Sequence, residues 1–387
     1  MHAANTIVGA VLVLGGSVLR ASAAAPSAVD LIKELNSQAI ANLEQASSGV
    51  AEKRACGIHN TAIRRDWETL SKCERKDYIR AVKCLMTNPA KSSPSFAPGA
   101  RTRFDDFVAL HINQTLTIHG TGNFLTWHRY VTWTYEQALR NECGYKGYQP
   151  YWNWFAHTDD PTKSPVFDGS PTSIGGDGDF LAHNGTGAGG GNIWVPPGKG
   201  GGCLKSGPFS DMKINLGPVR PSQDGMKPSP AGSLGHNPRC ITRDLNAVAL
   251  QRWMTYENLL NITVGAASHS VGAFQDELQG RFGDGFLGMH ASGHMAIGGE
   301  ATDLFSSIND PSFYLHHAMV DRVYWLWQAL HPDKAADIDG TTTISNNPPG
   351  PKTVKSDIVN MGVLADSRPI SDLLNTLGDS PFCYIYM

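Results

Sequence analysis

Two runs between His290 and Arg322 decide how this chain is read: HASGHMAIGG at 290–299 and SINDPSFYLHHAMVDR at 307–322. His290 and His294 are four residues apart, about one helical turn, so on a helix both imidazoles share a face. Asp310-Pro311 reads as a helix start, an acid able to cap followed by a proline favoured at the first helical position. The helix it opens carries His316 and His317, with Asp321 one turn beyond His317. Adjacent helical residues diverge by about 100°, so only one of that histidine pair can face a shared site. Three imidazoles gathered this way make a nitrogen-only site suited to copper, iron or zinc. Each imidazole in such a site needs a further partner to fix its orientation.

Upstream, HINQTLTIHGTGNFLTWHRY at 111–130 supplies His111, His119 and His128. Six of the 14 histidines thus form two separated trios. One metal does not use six imidazoles; two metals held face to face do. A lone histidine on a helix face is usually structural, but three that match a second trio reverse that expectation. His59, His157, His183, His236, His269 and His331 lie outside these runs and are read as structural or exposed.

Two segments carry a resemblance: HGTGNFLTWHRYVTWTYEQALR at 119–140, and the HxxxH at 290–294 followed by DPSFYLHHAMVDRVYWLWQ at 310–328. They resemble the two copper-binding halves of the tyrosinase family of type-3 copper proteins, in the family's order, and the likeness covers roughly residues 56–386. The resemblance implies a mainly α fold, with a central four-helix bundle holding a dinuclear copper site inside long loops. It assigns His111, His119 and His128 to one copper and His290, His294 and His317 to the other. His316 then belongs beside the ligands and Phe313 beneath them. It also implies O2 as co-substrate and small phenols as substrates. The reaction expected is oxidation of o-diphenols (catechols) to o-quinones, with weaker activity on monophenols or o-aminophenols. Copper carries that redox chemistry, while the protein sets geometry and access.

Further assignments rest on the same likeness. Leu304 resembles the gate residue above the second copper, and Met295 a residue lining the entrance. Gln279 stands where relatives place a glutamate that holds a water. Asp321 reads either as a hydrogen-bond acceptor for the site or as the salt-bridge partner of a nearby arginine. Tyr384-Ile385-Tyr386 resembles the tyrosine motif closing the family's core, against which an arginine packs, here Arg64 or Arg65. The sequence stops at that motif, which leads to the expectation of no C-terminal lid over the copper. Two departures matter. Fungal tyrosinases often carry a cysteine two positions before the second ligand, joined to it by a thioether; this chain has Thr117. Members that hydroxylate monophenols strongly often carry asparagine after the first ligand of the second copper; this chain has Ala291.

The frame around these motifs fits. The 387 residues are 41% hydrophobic and 17% charged, ample for a large core. A net charge of −3 without basic or acidic blocks argues against a nucleic-acid partner. Ile7–Val18 is a short apolar run followed by the small-residue pattern Ala21-Ser22-Ala23, read as a secretory signal over 1–23. The run is too short to span a bilayer comfortably, so after cleavage no membrane contact is expected. Residues 24–55 read as an exposed N-terminal arm with a helix from 27 to about 47, and 56–387 as a single catalytic domain. Sequons at Asn113, Asn184 and Asn261 agree with export, Asn184 being the best glycan candidate.

Of seven cysteines, most should pair in a secreted protein and one must remain. Ser71-Lys72-Cys73-Glu74 resembles a capping box. A helix running from it through Tyr78, Val82 and Leu85 would separate Cys73 from Cys84 by roughly 16 Å, too far for a disulfide. Helices are also expected over 102–116, 124–140 and 244–260. The Gly-rich Ser164–Gly202 segment lacks the order of a phosphate-binding loop and reads as surface loop. Two other classes compete with an oxidase. A dioxygen carrier would use the same dicopper centre. A zinc hydrolase would use a spaced histidine pair, but no glutamate lies between His290 and His294 and the upstream trio would go unexplained.

Overall fold

The computed structural model describes residues 27–47, 56–378 and 380–387. The expected secretory signal and residues 48–55 of the expected arm lie outside the described residues. Nine α-helices are present among the described residues: α1 (Ala28–Ser47), α2 (Lys72–Leu85), α3 (Arg103–Ile118), α4 (Phe124–Asn141), α5 (Ala247–Trp253), α6 (Tyr256–Thr263), α7 (Val271–Gln279), α8 (Gly288–Ile297) and α9 (Ser312–Leu330).

The fold is organised around α9. Every residue from Ser312 to Ala329 is buried, as expected of a helix apolar on nearly all sides. Its start lies where the sequence places it. Asp310 Oδ1 accepts the Ser312 amide (2.9 Å) and the Ser312 hydroxyl (2.7 Å), with Pro311 at the helix threshold. Around α9 pack α4, α8 and α1. Together α3, α4, α8 and α9 form the expected four-helix centre. Capping boxes start two helices: Ser71 with Glu74 on the flanking α2, and Thr102 with Asp105 on the central α3. Each satisfies two otherwise orphaned amides.

Two expectations need correction. First, α1 exists as read, but it is no exposed arm. Leu31, Ile32, Leu35 and Ala39 are buried against α9 and α6. Asn42 Nδ2 donates to the Ala329 carbonyl (3.0 Å), and Arg322 reaches Asn36 Oδ1 (3.3 Å). Second, residues 244–260 are not one helix. Asn246 caps α5 and Thr255 caps α6, each accepting an amide of its own first turn. Asp244 stays outside, where its carboxylate accepts the amides of Gly198 and Gly200 (2.8 and 3.0 Å). Polar residues that can cap compete with helix continuation.

Strands are short. Ala62–Arg64 pairs in parallel with Tyr384–Tyr386, closing the N-terminal and C-terminal ends of the domain together. The Gly-rich segment holds small hairpins, one of them pairing Thr186–Ala188 with Ile193–Val195. Disulfides join Cys56 to Cys383, Cys84 to Cys143 and Cys203 to Cys240. Cys73 is exposed and free, and it shares α2 with Cys84 as expected.

Candidate metal centre

The first trio comes from α3 and α4. His111 lies mid-helix on α3. His119 is the residue at which α3 ends, with an extended backbone (φ −122°, ψ 139°) that turns its ring back toward the helix. His128 sits one turn into α4. Each Nδ1 meets a backbone carbonyl: His111 with Phe305 (2.7 Å), His119 with Thr115 (3.0 Å) and His128 with Phe124 (2.8 Å). A carbonyl only accepts, so each Nδ1 carries the proton and each Nε2 keeps a lone pair. The rings converge at centroid distances of 5.1, 5.9 and 4.9 Å. His111 Nε2 and His128 Nε2 are buried and have no hydrogen-bond partner. Two orphaned buried acceptors aimed at one another are costly unless a cation sits between them.

The second trio comes from α8 and α9. His294 Nε2 lies 3.2 Å from both His290 Nε2 and His317 Nε2. The trios face each other. His128 stacks on His317 at 4.5 Å and 18°, and His119 and His290 lie 6.3 Å apart. Within each group one nitrogen of every ring lies within 4.8 Å of the others. Burial lowers the pKa of all six, to about 4 for His119 and about 3 for His294. All are neutral at pH 7, the form in which imidazole binds a metal. The donor set, its protonation and its orphaned nitrogens fit two transition-metal ions.

Phe313 lies where expected, stacked on His317 at 4.0 Å and edge-on to His111 at 5.4 Å. His316 is drawn closer than its neighbouring role suggested. It joins the His290–His294–His317 group, with Trp154 Nε1 donating to its Nδ1 (3.0 Å). Two readings left open by the sequence are decided. Asp321 serves no histidine. It accepts Arg129 (2.6 Å), Arg64 (3.3 Å), Tyr384 (2.6 Å) and Tyr386 (2.7 Å), so the salt-bridge reading holds and the site-acceptor reading falls. Arg64, not Arg65, is the arginine of the tyrosine motif, 3.7 Å over the Tyr384 ring. Gln279 is not free to serve as a base. Its Oε1 accepts the Gly120 amide (2.9 Å), tying α7 to the backbone next to His119.

A cavity of about 820 Å³ opens onto the site. His119, His290 and His294 are among its walls, with Ala291, Met295, Leu304 and Gln279 beside them. Leu304 is 40% exposed. Sequence reasoning missed Phe124, whose ring touches both trios, 4.8 Å from His128 and 4.9 Å from His290. Its place one turn before His128 was the available signal. It also missed the carbonyls of Thr115 and Phe305, which no pattern of side chains announces.

The class defined by this bundle and its paired histidine trios is matched by comparison with known proteins. The family model "Common central domain of tyrosinase" matches residues 101–330. The chain is 42% identical to the tyrosinase-like protein orsC of Emericella nidulans, over 78% of this chain and 84% of that one. It is 35% identical to the N-acetyl-6-hydroxytryptophan oxidase ivoB of the same organism, over 87% and 95% of the two chains. The solved structure of a point mutant of a polyphenol oxidase from Thermothelomyces thermophila superposes with a TM-score of 0.85 at 40% identity, covering 93% of this chain and 97% of that one. The chain belongs to the tyrosinase family. It is therefore an oxidoreductase of a family whose members carry a dinuclear copper centre.

Proposed function

We propose that His111, His119 and His128 hold one copper, that His290, His294 and His317 hold the other, and that the enzyme oxidises o-diphenols to o-quinones in preference to monophenols. Copper, when bound, supplies the electron transfer between the phenol and O2. Overall, two catechols each lose two electrons and two protons, and one O2 becomes two waters. The observation that carries the preference is the chemistry of the cavity wall beside the second trio.

Oxidising a monophenol requires its hydroxyl, with a pKa of roughly 10, to lose a proton first. A positioned base serves that step. Ala291 offers no polar atom there, and the amide oxygen of Gln279 already accepts the Gly120 amide. The cavity's other titratable side chains, His269, Asp276 and Asp339, belong to solvent-exposed residues, and partial burial beside Asp339 raises the Asp276 carboxyl above its usual value. Met295 and Leu304 give the ring apolar surface against which to lie. A catechol, with two adjacent hydroxyls, depends less on such a base. Weaker turnover of monophenols or o-aminophenols is part of the same reading.

The test compares turnover of a matched monophenol and diphenol by the copper-loaded wild type and by Ala291→Asn. The wild type should favour the diphenol, and the asparagine should raise the monophenol rate relative to it. Equal wild-type rates on the two substrates would overturn the preference.

Export is part of this proposal. Three disulfides among the described residues suit an oxidising compartment. No helix among the described residues is long and apolar enough to cross a membrane.

A further inference from the structure

His316 poses a problem of its own. It is fully buried, and one of its nitrogens lies within 4.8 Å of ring nitrogens of His290, His294 and His317. Four imidazoles are therefore gathered where three would hold a metal. A fourth nitrogen on that copper would fill a position that O2 and substrate need.

Its surroundings address this. Trp154, also fully buried, donates its indole N–H to His316 Nδ1 at 3.0 Å. An indole nitrogen only donates, so His316 Nδ1 is the acceptor, and in the neutral ring the proton resides on Nε2. Neither nitrogen then has a lone pair to give a metal. The ring is held in place as well as in tautomer. It lies nearly parallel to His290 at 5.7 Å and 14°, edge-on to His294 at 4.5 Å, and against Trp154 at 5.2 Å. Room for it is made by Gly293 on α8. A Cβ there would stand 2.2 Å from His316 Cε1 and 2.5 Å from its Nδ1. The Tyr151–Trp154 segment is itself docked on α9, the Trp152 amide donating to the Leu315 carbonyl (3.0 Å).

We propose that Trp154 is a positioning residue: its hydrogen bond locks His316 in the Nε2–H tautomer and so keeps a fourth imidazole off the second copper. This rests on the dicopper reading above. For His316 to coordinate through Nδ1, the indole N–H would have to be orphaned in the core. For it to coordinate through Nε2, the proton would have to move to Nδ1, with the same loss. Either change would orphan the indole N–H, whereas in the Nε2–H tautomer it is His316 Nε2 that has no hydrogen-bond partner, so the lock rests on the Trp154 bond and on the packing of the ring.

The test uses the full-length, copper-loaded protein. X-ray absorption on the reduced enzyme reads the mean number of nitrogen neighbours per copper. The wild type should give about three, and Trp154→Phe should move it toward about 3.5, the mean of one three-coordinate and one four-coordinate ion. The double variant Trp154→Phe/His316→Phe, which has no fourth nitrogen to offer, should return it to about three. An unchanged number in Trp154→Phe, with two coppers bound, would overturn the lock and leave the dicopper reading standing. A wild type that does not hold two coppers would instead sink the dicopper reading itself. Should Trp154→Phe not fold, ¹⁵N-histidine NMR of the diamagnetic reduced wild type decides alone. His316 should carry its proton on Nε2, and a proton on Nδ1 would overturn the proposal.

Discussion

Replacing Asp321 by asparagine probes the role of that residue most sharply. Arg64, Arg129, Glu136 and Asp321 are all buried, two guanidiniums set against two carboxylates. The cluster is neutral as it stands. Asp321→Asn keeps the shape and removes one charge, leaving a net positive charge in the core. Removing one partner of a buried ion pair costs about 3–5 kcal/mol. The amide oxygen can still accept one of the four donors, so about 3 kcal/mol is the expected loss. At roughly 2–4 °C per kcal/mol for a large domain, the melting temperature should fall by about 6–12 °C at a fixed scan rate. Circular dichroism melts would measure the drop, and metal analysis of the same samples would read copper per chain. Copper content at room temperature should not change, since Asp321 contacts no site histidine. Copper lost with the melt unshifted would instead place Asp321 at the metal site.

Three further outcomes are expected. His128→Ala and His317→Ala should each abolish phenol oxidation and lower bound copper, whereas His316→Ala should keep copper largely bound and reduce stability; metal analysis beside oxygen uptake separates them. Cys383→Ser opens a disulfide spanning 327 residues and anchoring the Tyr384–Tyr386 strand, so denaturant unfolding should show a loss of about 2–5 kcal/mol. In the metal-free protein, buried histidines have pKa values lowered to about 4 at His119 and about 3 at His294, against roughly 6.5 when unfolded. The unfolded chain binds more protons between these values. Stability should therefore be fully present above about pH 6.5 and fall as the pH drops toward 4, as acid-titration melts would read.

The ligand-bearing helices were legible in the sequence because their signals are local. The four-residue spacing of His290 and His294, the Asp310-Pro311 start and the Ser71 capping box each act within one or two turns. What escaped depends on residues far apart in the chain. The burial of α1 against α9 requires knowing that Arg322 and Ala329 meet its polar residues. The choice between two roles for Asp321 needed the approach of Arg64 and Arg129 from elsewhere in the chain. The break between α5 and α6 was locally written in Thr255, but apolar spacing across 244–260 masked it. The tautomer of His316 depends on Trp154, 162 residues away, and on the missing side chain of Gly293.

The central claim, two histidine trios each holding a copper that oxidises catechols, is tested most directly by metal analysis of the purified protein beside oxygen uptake with catechol. Two coppers per chain and one O2 consumed for every two catechols oxidised are expected. Zinc in place of copper, or two coppers that bind O2 reversibly without consuming catechol, would contradict it.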